Sequence, residues 1–345
     1  MKGDDLGVTD ALAVGTEPAH DAVPVEADLQ QYRGELTGYC YRMLASAFDA
    51  DDAVQETMVR AWRAYDRFEG RSAVRSWLYR IATNVCLDML ASRKRRARPM
   101  DLSSTAWQPV EASLQARSPE VTWVEPMLDS HVLPTPADPA DEAVARESVR
   151  LAFVAALQHL PPRQRAVLIL RDVLRWKADE VAELLGASVA SVNSALQRAR
   201  ATLAASDISA APVDPMDAEA EALLARYVDA FERYDINAFV SLLHEDATQN
   251  MPPYDMWLAG REHIGAWMLG PGIGCRGSRL LPITVNGVPG FAHYKPGPSD
   301  RLVPWALQVL EIRDGRVAAI SSFLDTRLFA HFGLPESVAP VGSTD

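Results

Sequence analysis

Along the chain, stretches in which apolar residues recur every three or four positions alternate with stretches in which proline forbids that pattern. Residues 1–27 mix Gly, Pro, Ala and acidic side chains without periodicity, which predicts a disordered leader. From Asp28 to Arg98 there is no proline, and the helical spacing predicts a bundle over 28–98 that Pro99 closes. In 99–140, Pro109, Pro119, Pro126, Pro134, Pro136 and Pro139 exclude a long helix and mark a linker. Helical patterning returns over 141–205, broken at Pro161-Pro162, and a second joint covers 206–213. The segment 214–332 reads as helices first (Asp217–Arg233, Ile236–Leu243, Glu262–Met268) and strands afterwards. Those strands are Ser278–Val285, Phe291–Tyr294, Trp305–Arg313 and Arg316–Thr326, the last two joined by an Asp314-Gly315 hairpin turn. The expected architecture is multidomain: two all-α domains, then an α+β domain and a tail over 333–345.

Composition narrows this picture. The 48% apolar and 23% charged content is that of a soluble globular protein, and no apolar run approaches the roughly 18 residues of a membrane helix. The acidic N-terminus lacks the features of a secretory signal, so a cytoplasmic protein with no membrane partner is expected. Cys40, Cys86 and Cys275 are far apart and have no CxxC spacing, which points to buried free thiols rather than a disulfide or a metal site. The net charge of −12 is unusual for a chain that binds DNA. It is unevenly distributed: −5 over 1–27, +4 over 28–98, −7 over 99–147, +4 over 148–205 and −8 over 206–345. Two basic islands between acidic segments imply weak affinity for DNA alone and useful affinity when a partner presents the DNA.

In the first island, Asp49 is placed as the N-cap of a helix starting at Ala50. Val54, Met58, Ala61 and Tyr65 line one face of that helix, and Asp52, Gln55, Glu56 and Val59 line another. The second face, with Asp51 beside it, is an acidic amphipathic patch suited to a protein partner. The next helix, near Ser72 to Arg93, gathers Arg71, Arg75, Trp77, Tyr79, Arg80 and Asn84. Aromatic rings beside arginines stack unpaired bases and hold their phosphates; core packing competes for Trp77, which follows the same stripe as Leu78, Ile81 and Val85. The run Arg93-Lys94-Arg95-Arg96 at the helix end aims at backbone phosphate, with a solvated tail as the alternative. Inside the linker, Trp123-Val124-Glu125-Pro126 gains nothing in solvent, so it is expected to dock on a neighbouring domain.

The second island carries a helix-turn-helix pattern: Ala182 where two helices touch, Gly186 for the left-handed turn, and Val192 as an anchor. Val181, Leu185, Val189, Leu196 and Ala199 complete its core, and Ser188 caps the second helix. The outward residues Ala190, Ser191, Asn193, Ser194, Gln197 and Arg198 would face the major groove, where Asn and Gln read adenine and Arg reads guanine.

Three ordered blocks then resemble one family. They are Asp51-Asp52-Ala-Val-Gln55-Glu56, Ser76-Trp77-Leu78-Tyr79-Arg80-Ile81-Ala82-Thr83-Asn84 with Asp88, and Leu160-Pro161-Pro162-Arg163-Gln164-Arg165 leading to Arg198-Ala199-Arg200. They look like regions two and four of an extracytoplasmic-function (group 4) sigma factor of the sigma-70 family. That resemblance implies binding of the bacterial RNA polymerase core, with Asp51, Asp52, Gln55 and Glu56 on the clamp helices of the largest subunit and the flap as a further contact. It implies melting and recognition of promoter DNA near minus ten by Phe68, Arg71, Arg75, Trp77, Arg80, Asn84, Arg93, Lys94, Arg95 and Arg96. Ser188, Ser191, Asn193, Ser194, Gln197, Arg198 and Arg200 would read the element near minus thirty-five. Asn193 and Ala195 stand where basic residues are common in the family.

Residues 214–332 resemble a SnoaL-like domain, the cone shared with ketosteroid isomerases and polyketide cyclases, in Ala225 to Asp235, Leu242 to Thr248 and Asp314-Gly315-Arg316-Val317. Tyr227, Tyr254, Trp257, Trp267, Trp305 and Phe323 are candidates to line an apolar pocket, with core packing as the alternative. Tyr227 matches the isomerases' oxyanion-binding tyrosine, and Met251 falls where their catalytic aspartate stands; a thioether takes no proton. Asp255, His263 and His293 are the remaining bases, and nothing in the sequence joins them. The chain is therefore expected to be a non-enzymatic sigma factor without cofactor or metal. Its cone would act as a regulator, through Trp123, Glu125 and Pro126 and the joint over 206–215, with a pocket ligand able to bias the arrangement. Two alternatives remain open: a stand-alone helix-turn-helix regulator with a ligand-sensing domain, and a bifunctional isomerase or cyclase.

Overall fold

The computed structural model describes residues 29–68, 73–91, 95–133, 144–205, 216–298 and 300–340. Its first helix, α1 (Arg33–Leu44), is buried over its whole second half, with Leu36, Tyr39, Tyr41 and Met43 at 0% exposure. A helix covered on every side has no polar face to keep, which is why Tyr-Cys-Tyr-Arg-Met-Leu reads as unpatterned. Around it pack α2 (Ala47–Ala64) and α3 (Val74–Ala91). The N-cap of α2 is Ser46, whose hydroxyl accepts the Asp49 N–H at 3.1 Å. This corrects the expected start at Ala50: the helix begins a turn earlier, and Asp49 is a buried first-turn residue. The two-faced reading of α2 holds, since Val54 and Ala61 are fully buried while Asp52, Gln55 and Glu56 are exposed.

The second helical unit contains α4 (Leu151–Leu157), α5 (Pro162–Leu168, continued by a π turn over Ile169–Val173), α6 (Ala178–Leu185) and α7 (Val189–Ala205). Pro162 stands in the first turn of α5, where a missing N–H costs nothing. Gly186 ends α6 at φ +60°, and Ser188 caps α7 by accepting the Ser191 N–H. One expected core residue of this motif is misplaced: Val189 is 43% exposed, because the first residue of α7 points away from the helix pair.

The last unit is a six-stranded sheet in the order β2-β1-β6-β5-β4-β3. Its strands are β1 (Leu243–Asn250), β2 (Trp257–Ala259), β3 (Arg279–Val285), β4 (Val288–Pro296), β5 (Leu302–Arg313) and β6 (Arg316–Phe323). Only β1 and β6 pair in parallel. Helices α8 (Ala218–Glu232), α9 (Ile236–Ser241) and α10 (Arg261–Leu269) cover one face, and α11 (Arg327–His331) follows β6. Asp314 and Gly315 both have positive φ, as the two-residue hairpin turn requires.

The sheet is buried on both sides. Leu280, Phe291, Leu310 and Ile312 face the cone helices, while Val285, Ala292, Tyr294, Leu307 and Val309 join the same apolar core as α1 to α7. This double covering explains why β4 is buried without interruption from Val288 to Tyr294. Of the proline-rich segment, residues 99–133 are described, and they are threaded along the cone; 134–140 lie outside the described residues. Trp107 N–H donates to the Trp257 carbonyl at 2.9 Å, Trp257 Nε1 donates to the Ser103 carbonyl at 3.0 Å, and Asp255 N–H donates to the Ala116 carbonyl at 3.0 Å.

Because one core runs through helices and sheet, a cavity cut on the sheet side should be felt by the helices. Leu307→Ala is expected to cost about 2–5 kcal/mol and to lower the urea midpoint of the 222 nm helical signal. A helical midpoint that stays put would show that the units unfold independently.

Candidate nucleic-acid and partner interfaces

The acidic face of α2 is open to solvent at Asp52, Gln55 and Glu56. Asp51 pairs with Arg33 at 3.3 Å, and Glu56 pairs with Arg60 at 2.7 Å. Both ion pairs are exposed, so they restrain side chains more than they stabilise the fold. At the start of the helix the face is shouldered by the cone: His331 of α11 lies 4.8 Å from the Phe48 ring, and the Arg327 guanidinium lies over the same ring at 5.3 Å.

The expected base-opening surface is divided. At the corner between α2 and α3, Phe68 and Trp77 are half-buried with ring centroids 4.8 Å apart, and Tyr65 lies 6.4 Å from Trp77. Further along α3 the basic residues are engaged internally. Arg75 meets Glu35 at 2.7 Å and lies over the rings of Tyr79 and Trp176. Arg80 pairs with Glu183 of α6 at 3.5 Å, and Tyr79 and Trp176 rings are 5.0 Å apart. Asn84 is exposed but lines a groove shared with Pro161, Pro162 and Arg163 of the second helical unit. Arg95 is exposed and its Nη1 lies 2.9 Å from His159 Nδ1. Arg71, Arg93 and Lys94 lie outside the described residues.

Arg96 departs from expectation. It is 6% exposed, and its guanidinium meets Asp49 at 2.7 Å, Glu125 at 3.4 Å and the Trp123 carbonyl at 2.7 Å. A basic residue with its charge satisfied inside the protein is not a phosphate contact here, so it leaves the expected DNA-facing set. The helix-turn-helix surface is the opposite case. Ser188, Ser191, Asn193, Ser194, Gln197, Arg198 and Arg200 are all exposed on α7, and only Arg200 is tied back, to Asp172 at 2.7 Å.

The Trp123–Pro126 segment docks as expected. Trp123 is 2% exposed and lines a small cavity with Pro252, Pro253, Phe323 and Leu328 of the cone. Glu125 reaches the other way: its carboxylate accepts from the Ser46 hydroxyl at 2.6 Å and the Ala47 N–H at 3.0 Å, at the N-terminus of α2. Burial raises the Glu125 carboxyl above its usual range, opposed by Arg96 and the Ser46 hydroxyl. Pro126 is buried beside it.

Sequence reasoning missed Asn286 and Gly287, the turn between β3 and β4. Both have positive φ, 55° and 73°, and Asn286 is 0% exposed. Its Nδ2 donates to the Tyr41 hydroxyl at 2.6 Å and the Val149 carbonyl at 2.7 Å, and its Oδ1 accepts the Met127 N–H at 3.0 Å. An Asn-Gly pair after a β-branched run was the available signal. Nearby anchors hold the second helical unit: Arg42 donates to the Ser148 hydroxyl at 2.7 Å, and Arg150 meets Glu311 of β5 at 3.5 Å. Burial lowers Arg42 to about 10, which still leaves it charged at neutral pH.

Of the two readings open for the cone aromatics, pocket lining and core packing, the structure shows packing. Tyr227 is fully buried, stacked on Phe291 at 5.7 Å, with its hydroxyl 3.3 Å from Gln308 Oε1. Trp267 is 3% exposed, Trp305 holds the Lys295 ammonium 3.1 Å from its ring, and Phe323 faces the helical units. Tyr254 and Trp257 are occupied by the linker. Nor are the three remaining bases joined: His263 is exposed on α10, Asp255 sits in the loop against Ala116, and His293 is buried in β4. Burial pushes His293 down to about 3, far below what a general base at neutral pH requires.

Three family models match the chain in order: Sigma-70 region 2 over residues 29–96, Sigma-70 region 4 over 150–203, and a SnoaL-like domain over 224–320. The ECF RNA polymerase sigma factor SigG of Mycobacterium tuberculosis is 47% identical over 332 residues, 94% of this chain and 88% of that protein. The ECF RNA polymerase sigma factor SigJ of the same species is 28% identical over 330 residues, 92% and 97% of the two chains. The crystal structure of Mycobacterium tuberculosis SigJ shares the fold, with a TM-score of 0.55 at 24% identity over 90% of this chain and 99% of that one.

Removing the shared cation of the Asp49–Arg96–Glu125 cluster leaves two carboxylates buried together. Arg96→Leu should cost about 3–5 kcal/mol in urea unfolding, and adding Asp49→Asn should recover part of that loss. Equal stability of the single variant and the parent would show that the cluster contributes nothing.

Proposed function

The chain belongs to the ECF RNA polymerase sigma factors, which direct promoter-specific transcription initiation, and we propose that it rests in a closed form that its cone restrains. In this reading Asp51, Asp52, Gln55 and Glu56 engage the clamp helices of the core polymerase. Phe68, Trp77 and Asn84, with Arg71, Arg75, Arg80 and the basic run 93–95, open and hold the element near minus ten. The exposed face of α7 reads the element near minus thirty-five, and the flap receives the second helical unit.

The observation that carries the closed form is the contact of α3 with α6. Two promoter elements separated by about 25 base pairs lie roughly 85 Å apart at about 3.4 Å per base pair. Units held together by Arg80 of α3 and Glu183 of α6 at 3.5 Å, with the Tyr79 and Trp176 rings 5.0 Å apart beside them, cannot serve both elements at once. Initiation therefore requires the two helical units to separate; Arg80 then loses Glu183, and Arg75 loses the Trp176 ring while keeping Glu35. What opposes separation is the Asn286 turn, which is bonded at once to α1, to the linker and to the start of the second helical unit.

A regulatory rather than catalytic cone is supported by Met251 at the aspartate position and by a buried, neutral His293. No helix among the described residues is long and apolar enough to cross a membrane. We infer work in the cytoplasm, where core polymerase and the chromosome are.

Charge reversal by Asp52→Arg with Glu56→Arg should weaken association with core polymerase at least tenfold, by fluorescence anisotropy, and abolish run-off transcripts. Undiminished association would end the reading. Tyr41→Phe removes the hydroxyl that Asn286 uses, at about 1–3 kcal/mol. It should strengthen core association by about tenfold; weaker association with intact folding would mean that the cone assists engagement instead of restraining it.

A further inference from the structure

Outside the packed interior of the cone, an open groove of about 870 Å³ lies between α8 and the β3–β4 hairpin. That size suits a small organic ligand. Leu224, Val228, Leu280 and Phe291 supply an apolar floor and walls. Two charged side chains close one end, and neither belongs to the cone: Asp129 comes from the linker and Arg146 from the approach to the second helical unit. Asp129 Oδ1 accepts the Gly287 N–H at 2.8 Å. Arg146 lies near enough to lower the Asp129 carboxyl against the burial that raises it. The turn and the Arg146 backbone are in contact, since a Cβ on Gly287 would fall 2.6 Å from the Arg146 carbonyl oxygen.

We infer that this groove binds a largely apolar small molecule with one uncharged hydrogen-bonding end that both donates and accepts, an alcohol or an amide, and that binding favours the closed arrangement. The choice of head group follows from the rim. One carboxylate and one guanidinium sum to zero, so a charged head would face a like charge and leave a net charge in a partly desolvated site. A neutral hydroxyl or amide can donate to Asp129 and accept from Arg146 together. The coupling follows from the ownership of the rim. When the helical units move off the cone, Asp129 and Arg146 leave the groove, so a ligand makes those contacts only in the closed form. A ligand with that differential affinity shifts the population towards closure. By linkage it weakens core polymerase binding by the factor by which polymerase weakens the ligand. The inference rests on the closed-form reading for its regulatory half and on the groove alone for its binding half.

The test uses the full chain with N-phenyl-1-naphthylamine as the fluorescent probe and 1-decanol, decanoate and decylammonium as competitors of equal length. Decanol should displace the probe at about one tenth the concentration either ion requires. Asp129→Asn should move the preference to decanoate, and Arg146→Gln should move it to decylammonium. Filling the groove by Ala225→Trp, or by Thr284→Trp as a second variant from the opposite wall, should remove competition, with far-ultraviolet circular dichroism as the folding check. Saturating decanol should weaken core polymerase association of the parent chain at least fivefold. Equal displacement by all three competitors, or probe binding indifferent to both tryptophan variants, overturns the groove. Selective displacement with unchanged polymerase association overturns the coupling alone. Failure of polymerase association without any ligand strikes the closed-form reading and not the binding site.

Discussion

One buried carboxamide, Asn286, holds together segments that are otherwise free to part. Its side chain uses both amide protons and its oxygen on Tyr41, Val149 and Met127, which belong to α1, to the approach to α4 and to the linker. A buried polar group is stable only when so satisfied, and separation of any one segment leaves donors or acceptors that must find water. The geometry is available because Asn286 and Gly287 adopt positive φ in a two-residue turn, which projects the side chain beyond the sheet and into the helical units. Gly287 is needed in its own right, since the Arg146 backbone passes too close for a side chain.

A second constraint acts at the other end of the linker. Glu125 caps the N-terminus of α2 from outside the helix, and Arg96 links it to Asp49 within the first turn. The segment that leaves the first bundle and the helix proposed to grip polymerase are therefore fixed by one ion cluster. Burial of that cluster weakens it as a source of stability but strengthens it as a source of register, because each carboxylate has a single geometry that meets the guanidinium. Arg96 thus belongs to the scaffold that orients the acidic face, while its neighbour Arg95 stays exposed.

Helix α2 and the helix-turn-helix were readable in the sequence because their burial is one-sided, unlike that of α1. Val54, Met58 and Ala61 on α2, and Gly186 with Ser188 in the turn, each obey a local rule that the fold does not override. Other features depend on long-range contacts. β1 was missed because His244, Glu245 and Asp246 form a polar bulge, with register shifting between Leu243 and Thr248. The cone aromatics were readable as apolar but not as cavity or core, and Tyr227, Phe231 and Phe291 stack on one another. Likewise, a run of four basic residues gives no sign that one of them turns inward. Asn286-Gly287 announced a turn, yet its three partners are between 137 and 245 residues distant, or beyond any local rule.

In the proposed reading, polymerase engagement and closure compete through a single helix. The acidic face of α2 is exposed at Asp52, Gln55 and Glu56, but Phe48, one turn earlier, is covered by Arg327 and His331 of α11. A large partner lying along α2 meets the cone at that shoulder. In that reading the same partner needs the second helical unit at a distant site, which strips Trp176 and Glu183 from α3, frees Arg80 and uncovers one side of Tyr79 and Arg75, both still held by Glu35. The free energy of those lost contacts is subtracted from binding, so every interaction that holds the closed form sets a threshold for engagement. A cone that touches both sides of the opening can adjust that threshold without touching polymerase or promoter.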